Sequence, residues 1–173
     1  MQRSLILCTL AAALALVFGP NAAEAASAKG YNTFEIPDQI DDCVDWYEAN
    51  RAGVMQASNC RIVKDLGEGE YRVQINTPIG ANQFVVKETR KDKTNDEGQK
   101  VVTYFQTFQR NVSGRVTACK VTIQFTEEGE KTKFQMWMST TISGRFVPSF
   151  AVQNSLNGSL SGCEAYVRKQ HGF

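Results

Sequence analysis

The stretch PSFAVQNSLNGSLSGCEAYVRK, residues 148–169, decides the fold. Its apolar side chains recur at spacings of 4, 4, 3 and 4 residues, which places them on one face of a helix. They are Val152, Leu156, Leu160, Cys163 and Val167. Gly158 and Gly162 interrupt this pattern, and each costs about 1 kcal/mol relative to alanine in a helix. Close packing or a kink must therefore account for the two glycines.

Six strand-like runs precede this helix and define the sheet that it covers. The clearest is Tyr71–Asn76, in which Tyr71, Val73 and Ile75 alternate with polar residues. The connections between the runs are too short for the crossover that parallel strands need, so we predict an antiparallel meander. An apolar sheet face requires a cover, which the terminal helix supplies. The runs are Arg61–Leu66, Tyr71–Asn76, Gln83–Arg90, Val101–Gln109, Arg115–Phe125 and Thr132–Ile142.

One further strand and a helical stretch come before the meander. Tyr31–Ile36 alternates between two faces and ends at Pro37, which is typical of a strand that runs into a turn. Asp41–Gln56 carries apolar residues at helical spacing. We expect Gly53 to divide this stretch into two short helices.

The first 28 residues have the pattern of an export signal. Arg3 supplies a positive charge, Leu5–Phe18 is apolar, and two small-x-small cleavage sites follow at Ala23-Glu24-Ala25 and Ala26-Ser27-Ala28. The apolar run is too short for a comfortable membrane span. We therefore predict a signal peptide over residues 1–28, one domain over residues 29–173, and a periplasmic or secreted protein.

Composition limits the partners and cofactors. The net charge is +1, and no basic stripe with interleaved aromatics suggests a nucleic-acid partner. Four cysteines remain after the leader, and an even number in an exported chain suggests two disulfides with three connectivities open. Close cysteine or histidine pairs are absent, and the one histidine is His171, so we expect no metal and no cofactor. The cysteines are Cys43, Cys60, Cys119 and Cys163.

The element order and two segments resemble the SRPBCC superfamily, which includes START lipid-transfer, pollen-allergen-like and polyketide cyclase/dehydrase-like proteins. Phe34-Glu35-Ile36-Pro37 is similar to the family's first strand running into its first helix. Ile142–Phe150, ISGRFVPSF, is similar to its last-strand exit, where a glycine and a proline precede the closing helix. The resemblance implies an α+β helix-grip fold: a curved antiparallel seven-stranded sheet, in the order β-α-α-β6-α, wrapped around a long C-terminal helix.

In that superfamily the sheet and closing helix enclose a cavity for an apolar ligand. Carried over to this chain, the inward-facing residues would line it; the alternative is that the same residues form a filled core. Arg110, Arg115 and Arg145 could contact an anionic group of a ligand. The expected lining is Tyr71, Val73, Ile75, Phe84, Val86, Tyr104, Phe108, Val121, Ile123, Phe134, Met136, Met138, Phe150, Leu156 and Leu160.

The resemblance also bears on the cysteines. A Cys119–Cys163 bridge would join helix to sheet and leave Cys43–Cys60. The rival is Cys43–Cys163, because the paired short helices support the end of the closing helix in this fold.

The favoured interpretation is an exported, non-catalytic carrier of a lipid, sterol, quinone or polyketide-like molecule. We expect it to be a monomer that contacts membranes transiently. A cyclase/dehydrase-like enzyme is the first alternative, with Tyr104 or Gln106 as the polar group in the cavity, but no residue pair suited to acid–base catalysis accompanies them. An interaction module with a filled core is the second alternative.

Overall fold

The computed structural model describes residues 25–77, 80–144 and 147–173. All strand pairs are antiparallel, and the described part of the chain forms a seven-stranded sheet in the order β1-β7-β6-β5-β4-β3-β2. The predicted fold, a curved antiparallel sheet with a C-terminal helix, is confirmed. The elements are β1 (Ala25–Ile36), α1 (Ile40–Ala57), β2 (Cys60–Gly67), β3 (Glu70–Thr77), β4 (Gly80–Thr94), β5 (Lys100–Ser113), β6 (Val116–Glu128), β7 (Lys131–Ser143) and α2 (Ser149–His171).

Helix α2 lies against the inner face of β1, the edge strand that pairs with β7. Gly30 permits this close approach, because a Cβ atom there would overlap the side chains of Leu156 and Leu160. Asn32 Nδ2 also donates a hydrogen bond to Glu164 Oε2 at 2.8 Å, which holds the pKa of that carboxyl below its usual value. The closing helix is thus fixed to the first strand as well as to the apolar core. Neither described helix is long and apolar enough to cross a membrane.

The predicted division of α1 at Gly53 is wrong, because Ile40–Ala57 is one continuous helix. The glycine serves the packing of the two helices: a Cβ atom at Gly53 would collide with the Tyr166 hydroxyl of α2. Gly162 does the same from the other helix, where a Cβ atom would collide with the backbone carbonyl oxygen of Ala57. Close packing therefore accounts for Gly162, whereas open space surrounds Gly158.

Strand β1 begins earlier than predicted, at Ala25 rather than Tyr31. Residues 25–28 pair with the end of β7, and Ala26 and Ala28 are each only 3% exposed. The last four residues of the predicted leader thus belong to the folded sheet. The remainder of that leader, residues 1–24, lies outside the described residues.

The predicted disulfides are not formed, since all four cysteines of the described residues are free. Cys43 and Cys163 are instead buried as small apolar side chains, a common role of the free thiol. Burial raises the pKa of both thiols to about 11 and the pKa of Cys119 to about 12. These thiols therefore stay protonated at neutral pH.

We expect the protein to lose stability between pH 7.5 and 9.5 because of these thiols. The unfolded chain releases a thiol proton near pH 8.5 and the folded chain only near 11, so the stabilisation is present below the first value and declines above it. Urea-unfolding midpoints at the two pH values measure the loss. A Cys43→Ala/Cys163→Ala variant should show a flatter pH dependence.

Alkylation in denaturant without reductant should label four thiols of the leader-free protein; two or fewer would contradict the free-thiol structure.

Candidate ligand cavity

A cavity opens between the inner face of the sheet and the two helices. The volume of the cavity is ≈ 70 Å³. Its walls are Val54, Met55, Ser58, Asn59, Cys60, Ile75, Asn76, Thr77, Gln106, Cys119, Val121, Ile123, Met136, Met138, Ser139, Thr140, Ile142, Val152, Ser155, Leu156 and Ser159.

The alternation of the central strands builds the floor of the cavity. Val121 on β6 lies opposite Gln106 on β5 and Met138 on β7, and one row further along, Ile123 lies opposite Met136. Successive inward residues on each strand thus form neighbouring rows of mainly apolar side chains. Flexible methionine side chains within such a floor can adapt to ligands of different shape.

The opposite end of the sheet is closed by packed aromatic rings. Phe34 stacks on Phe134 with ring centroids 4.8 Å apart, and Phe125 meets Phe134 edge-on at 5.3 Å. Tyr47 of α1 extends the cluster to Tyr104, with ring centroids 4.6 Å apart. These rings fill the volume between sheet and helices. The inner face is therefore plugged at one end and open at the other.

Every wall residue of the cavity is uncharged. The polar groups are serine, threonine, asparagine and glutamine side chains, and burial keeps the Cys119 thiol protonated by raising its pKa to about 12. Among the described residues, no cluster of three histidine, cysteine, aspartate or glutamate side chains could hold a metal ion. The site can accept an apolar molecule with few hydrogen-bonding groups, and it offers no counter-ion to a charged one.

A buried ionic network lies behind the Gln106 wall. The Glu88 side chain is only 6% exposed, and its Oε1 lies 2.7 Å from Nε of Arg51. That N–H does not point directly at the carboxylate, so the contact is an ion pair rather than a linear hydrogen bond. Tyr47 and Gln106 donate hydrogen bonds to Glu88 Oε2 at 3.0 and 2.8 Å. Burial and then the Glu88 carboxylate raise the pKa of Tyr47 well above its usual value.

Solved structures with this architecture include a START superfamily protein and a STAR-related lipid transfer protein. A START superfamily protein from Mycobacterium smegmatis matches with a TM-score of 0.55 at 12% identity, covering 83% of this chain and 97% of that one. A STAR-related lipid transfer protein fragment from Xanthomonas axonopodis matches at 0.57 and 12%, covering 84% and 86%. This chain has their helix-grip fold. A conserved protein from Geobacillus kaustophilus also matches, at 0.52 and 12%, covering 83% and 95%. Neither a family model nor a curated protein matches the sequence.

The helix-grip cavity uses only part of the predicted lining. Six of the predicted residues form its walls, namely Ile75, Val121, Ile123, Met136, Met138 and Leu156. Phe150 is 70% exposed and faces away from the core. The others are core or half-buried residues outside the cavity: Tyr71, Val73, Phe84, Val86, Tyr104, Phe108, Phe134 and Leu160. Aromatic rings account for most of this difference, because they fill the space in which they lie.

The predicted polar contacts lie elsewhere. Arg110 is exposed on β5, and Arg115 packs beside Gly144 at the exit of β7; neither lines the cavity. Arg145 lies outside the described residues. Tyr104 donates its hydroxyl hydrogen to Glu48 Oε1 at 2.7 Å, so this group is already engaged away from the cavity.

Sequence reasoning missed Glu88 as a buried site residue, although a signal was present. Glu88 continues the inward-facing positions of Phe84 and Val86 on β4, and the register pairs it with Gln106 on β5. Two polar side chains opposite each other on an apolar face predict a buried network, since lone buried polar groups are unfavourable.

Proposed function

We propose that this protein binds an uncharged, hydrophobic small molecule in the cavity between the sheet and α2. The observation that carries the proposal is the wall itself, which is largely apolar, rich in methionine and free of charged groups. A sterol, quinone or other neutral lipid satisfies these walls, whereas a fatty-acid carboxylate would be buried without a partner. The START and STAR-related lipid transfer proteins that share the fold are consistent with this class of ligand.

A carrier role is favoured over catalysis by the way the polar groups are used. The Gln106 amide nitrogen is held by Glu88, and the Tyr104 hydroxyl by Glu48. Among the described wall residues, no nucleophile stands beside a carboxylate or histidine that could activate it. Gln106 is left with its carbonyl oxygen, which can accept a hydrogen bond from a ligand hydroxyl.

A ligand of lipid size requires the cavity to widen, because an enclosed room of ≈ 70 Å³ holds only a few water molecules. The first half of α2 is the wall best suited to move. It contributes Val152, Ser155 and Ser159 to the cavity and contains Gly158, which has open space around it and lowers the stability of the helix. Uptake of a ligand therefore requires this half of α2 to move outward.

Blocking the cavity with a larger side chain should abolish binding. Ser159 is 8% exposed and lines the cavity, whereas Ser161, two residues further along α2, is exposed. We expect Ser159→Leu to weaken binding of the neutral dye N-phenyl-naphthylamine at least about tenfold, and Ser161→Leu to leave it unchanged. Fluorescence titration measures both. The anionic dye anilinonaphthalene sulfonate should bind the native protein at least about tenfold more weakly than the neutral dye.

Native mass spectrometry of protein purified from an exporting host provides a second test. A co-purified neutral lipid mass that is lost in Ser159→Leu supports the proposal. Protein that is always ligand-free and ignores the neutral dye would mean that the core is effectively filled. Equal dye binding by the two leucine variants would mean that the dye binds outside the cavity.

We also propose that the chain is exported and cleaved after Ala25. Cleavage after Ala28 would remove the residues that pair with the end of β7, whereas cleavage after Ala25 keeps Ala26 and Ala28 at their buried positions. N-terminal sequencing of the protein from the exporting host should begin at Ala26. A chain that begins at Met1 or Lys29 would contradict this assignment.

A further inference from the structure

The outer face of the sheet carries a row of aromatic side chains. The row crosses four neighbouring strands, in which each residue is paired with the next. It consists of Tyr31 on β1, Trp137 on β7, Thr122 on β6 and Phe105 on β5. The Tyr31 and Trp137 rings have centroids 5.1 Å apart, and the two residues are 48% and 36% exposed. The two rings pack on each other rather than against the core, and a contiguous exposed aromatic patch marks an interaction surface.

Lysines flank the aromatic row on both sides. Lys29 and Lys120 both lie opposite Ser139 in the next row, and on the other side Lys91 lies opposite Thr103. Lys93 follows Lys91 on the same face of β4. These four lysines, Phe105 and Trp137 border a shallow groove of ≈ 520 Å³, which we call the lysine groove.

The charge of the lysine groove is not neutralised by its surroundings. Its wall contains no acidic residue, and none of the four lysines forms an ion pair within the described part of the chain. Elsewhere on the same face, Lys131 pairs with Glu35 at 2.9 Å. The whole chain has a net charge of +1, so the residues other than these four lysines have a net charge of −3. The lysine groove is therefore a local concentration of positive charge on a chain whose remainder is net negative.

We propose that the lysine groove docks the protein on an anionic lipid bilayer. Trp and Tyr are the side chains that favour the membrane–water interface, because one end of each is apolar and the other forms hydrogen bonds. Each lysine close to an anionic surface strengthens binding roughly fivefold. The combination of an exposed Trp–Tyr pair with four unneutralised lysines thus matches the chemistry of a negatively charged lipid surface.

A nucleic acid fits the groove less well. All four cations are lysines, which act as point charges, and the groove has no arginine to hold a phosphate bidentately. The Trp137 ring packs against Tyr31, whereas single-strand recognition needs rings that are free to stack on bases. The docking surface and the cavity lie on opposite faces of the sheet and share only Met138 and Ser139, so docking does not depend on an occupied cavity.

Vesicle flotation tests the proposal on the leader-free protein. The vesicles are phosphatidylcholine alone or phosphatidylcholine with 30% phosphatidylglycerol, a composition chosen to give roughly the surface charge of an anionic membrane. We expect binding to the anionic vesicles only, with weakening at high salt because the attraction is screened. A Lys91→Gln/Lys120→Gln variant should bind roughly 25-fold more weakly. The matched control is Lys64→Gln/Lys169→Gln, which removes the same charge from exposed positions outside the groove.

Trp137 supplies a local signal. In a Trp46→Phe background, Trp137 is the single tryptophan of the chain, and its emission should shift to the blue and be quenched by brominated lipids when anionic vesicles are added. Three results would overturn the proposal. These are no flotation with anionic vesicles, an equal loss in the two double variants, or tighter binding to single-stranded RNA than to vesicles with the same dependence on Lys91 and Lys120.

Discussion

Replacement of Glu88 by glutamine should lower the free energy of unfolding by about 3 kcal/mol. The substitution removes the carboxylate that lies 2.7 Å from Arg51 Nε, and it leaves that guanidinium, only 23% exposed, without its counter-charge. The new amide nitrogen must lie either against the Arg51 guanidinium or where Tyr47 and Gln106 both donate hydrogen bonds to an oxygen. Uncompensated buried charge and mismatched donors account for the expected loss. Urea unfolding followed by circular dichroism measures it.

Two further variants separate this network from a general effect of charge removal. Glu35 forms an ion pair with Lys131 at 2.9 Å, but both side chains are 58% exposed, so Glu35→Gln should change stability little. Combining Glu88→Leu with Arg51→Met removes both buried charges and should recover only the part of the loss that comes from the uncompensated charge, because Tyr47 and Gln106 still lack the acceptor that Glu88 supplied. If Glu88→Gln and Glu35→Gln cost the same, the network behind Gln106 contributes nothing beyond an exposed pair.

The network also matters for the cavity, because it fixes the orientation of Gln106. With its amide nitrogen donating to Glu88, Gln106 keeps its carbonyl oxygen as the group that can accept a hydrogen bond from a ligand hydroxyl. Glu88→Gln therefore tests a second property: ligands with a hydroxyl group should lose more affinity than purely hydrocarbon ligands. The stability of the fold and the polarity of the site thus depend on the same carboxylate.

The sheet and its covering helix could be predicted because their signals are local. Alternation in Tyr71–Asn76 and the apolar stripe of residues 152–167 identify which side of each element is buried. Short connections then leave antiparallel neighbours as the only arrangement. The pairing of β1 with β7 was not accessible in this way, because it joins the first and the last strand of the chain, which lie about a hundred residues apart in sequence.

The position of the cavity could not be predicted from alternation. Phe134 and Met136 face the same way on β7. Phe134, however, packs in the cluster of aromatic rings that fills one end of the inner face, whereas Met136 lines the cavity. Alternation gives the face of a residue but not the volume that its neighbours leave empty. Whether space remains depends on rings that meet across Phe34, Phe134 and Phe125, and only three-dimensional packing brings these together.

The lysine groove could not be predicted from the sequence either. Its lysines come from β1, β4 and β6, so they do not form one basic run along the chain.

The continuity of α1 and the state of the cysteines also depend on contacts between distant residues. The helix-breaking tendency of Gly53 was evident from the sequence, but its contact with Tyr166 was not. An even number of cysteines is compatible with bridges, but packing places Cys43 and Cys163 in the core as free thiols.

The two glycines of α2 should respond in opposite directions to the same substitution. Alanine improves an exposed helix position by about 1 kcal/mol, so Gly158→Ala, with open space around it, should raise stability by up to that amount. Gly162→Ala should instead lower stability by about 1–3 kcal/mol, because its Cβ atom collides with the backbone carbonyl of Ala57, which cannot rotate away. Thermal unfolding of the two variants gives the comparison directly.

Substitution of the two glycines should also have different effects on the rate of ligand uptake. If the first half of α2 moves outward to admit a ligand, stiffening it by Gly158→Ala should slow uptake of the neutral dye in stopped-flow mixing while leaving its equilibrium affinity within a few-fold. Gly162→Ala loosens the contact of α2 with α1 and should not slow uptake, because it weakens the closed state. Uptake that is equally fast in Gly158→Ala and the native protein would mean that the ligand enters by another wall, such as the turn after Ala57 that carries Ser58 and Asn59.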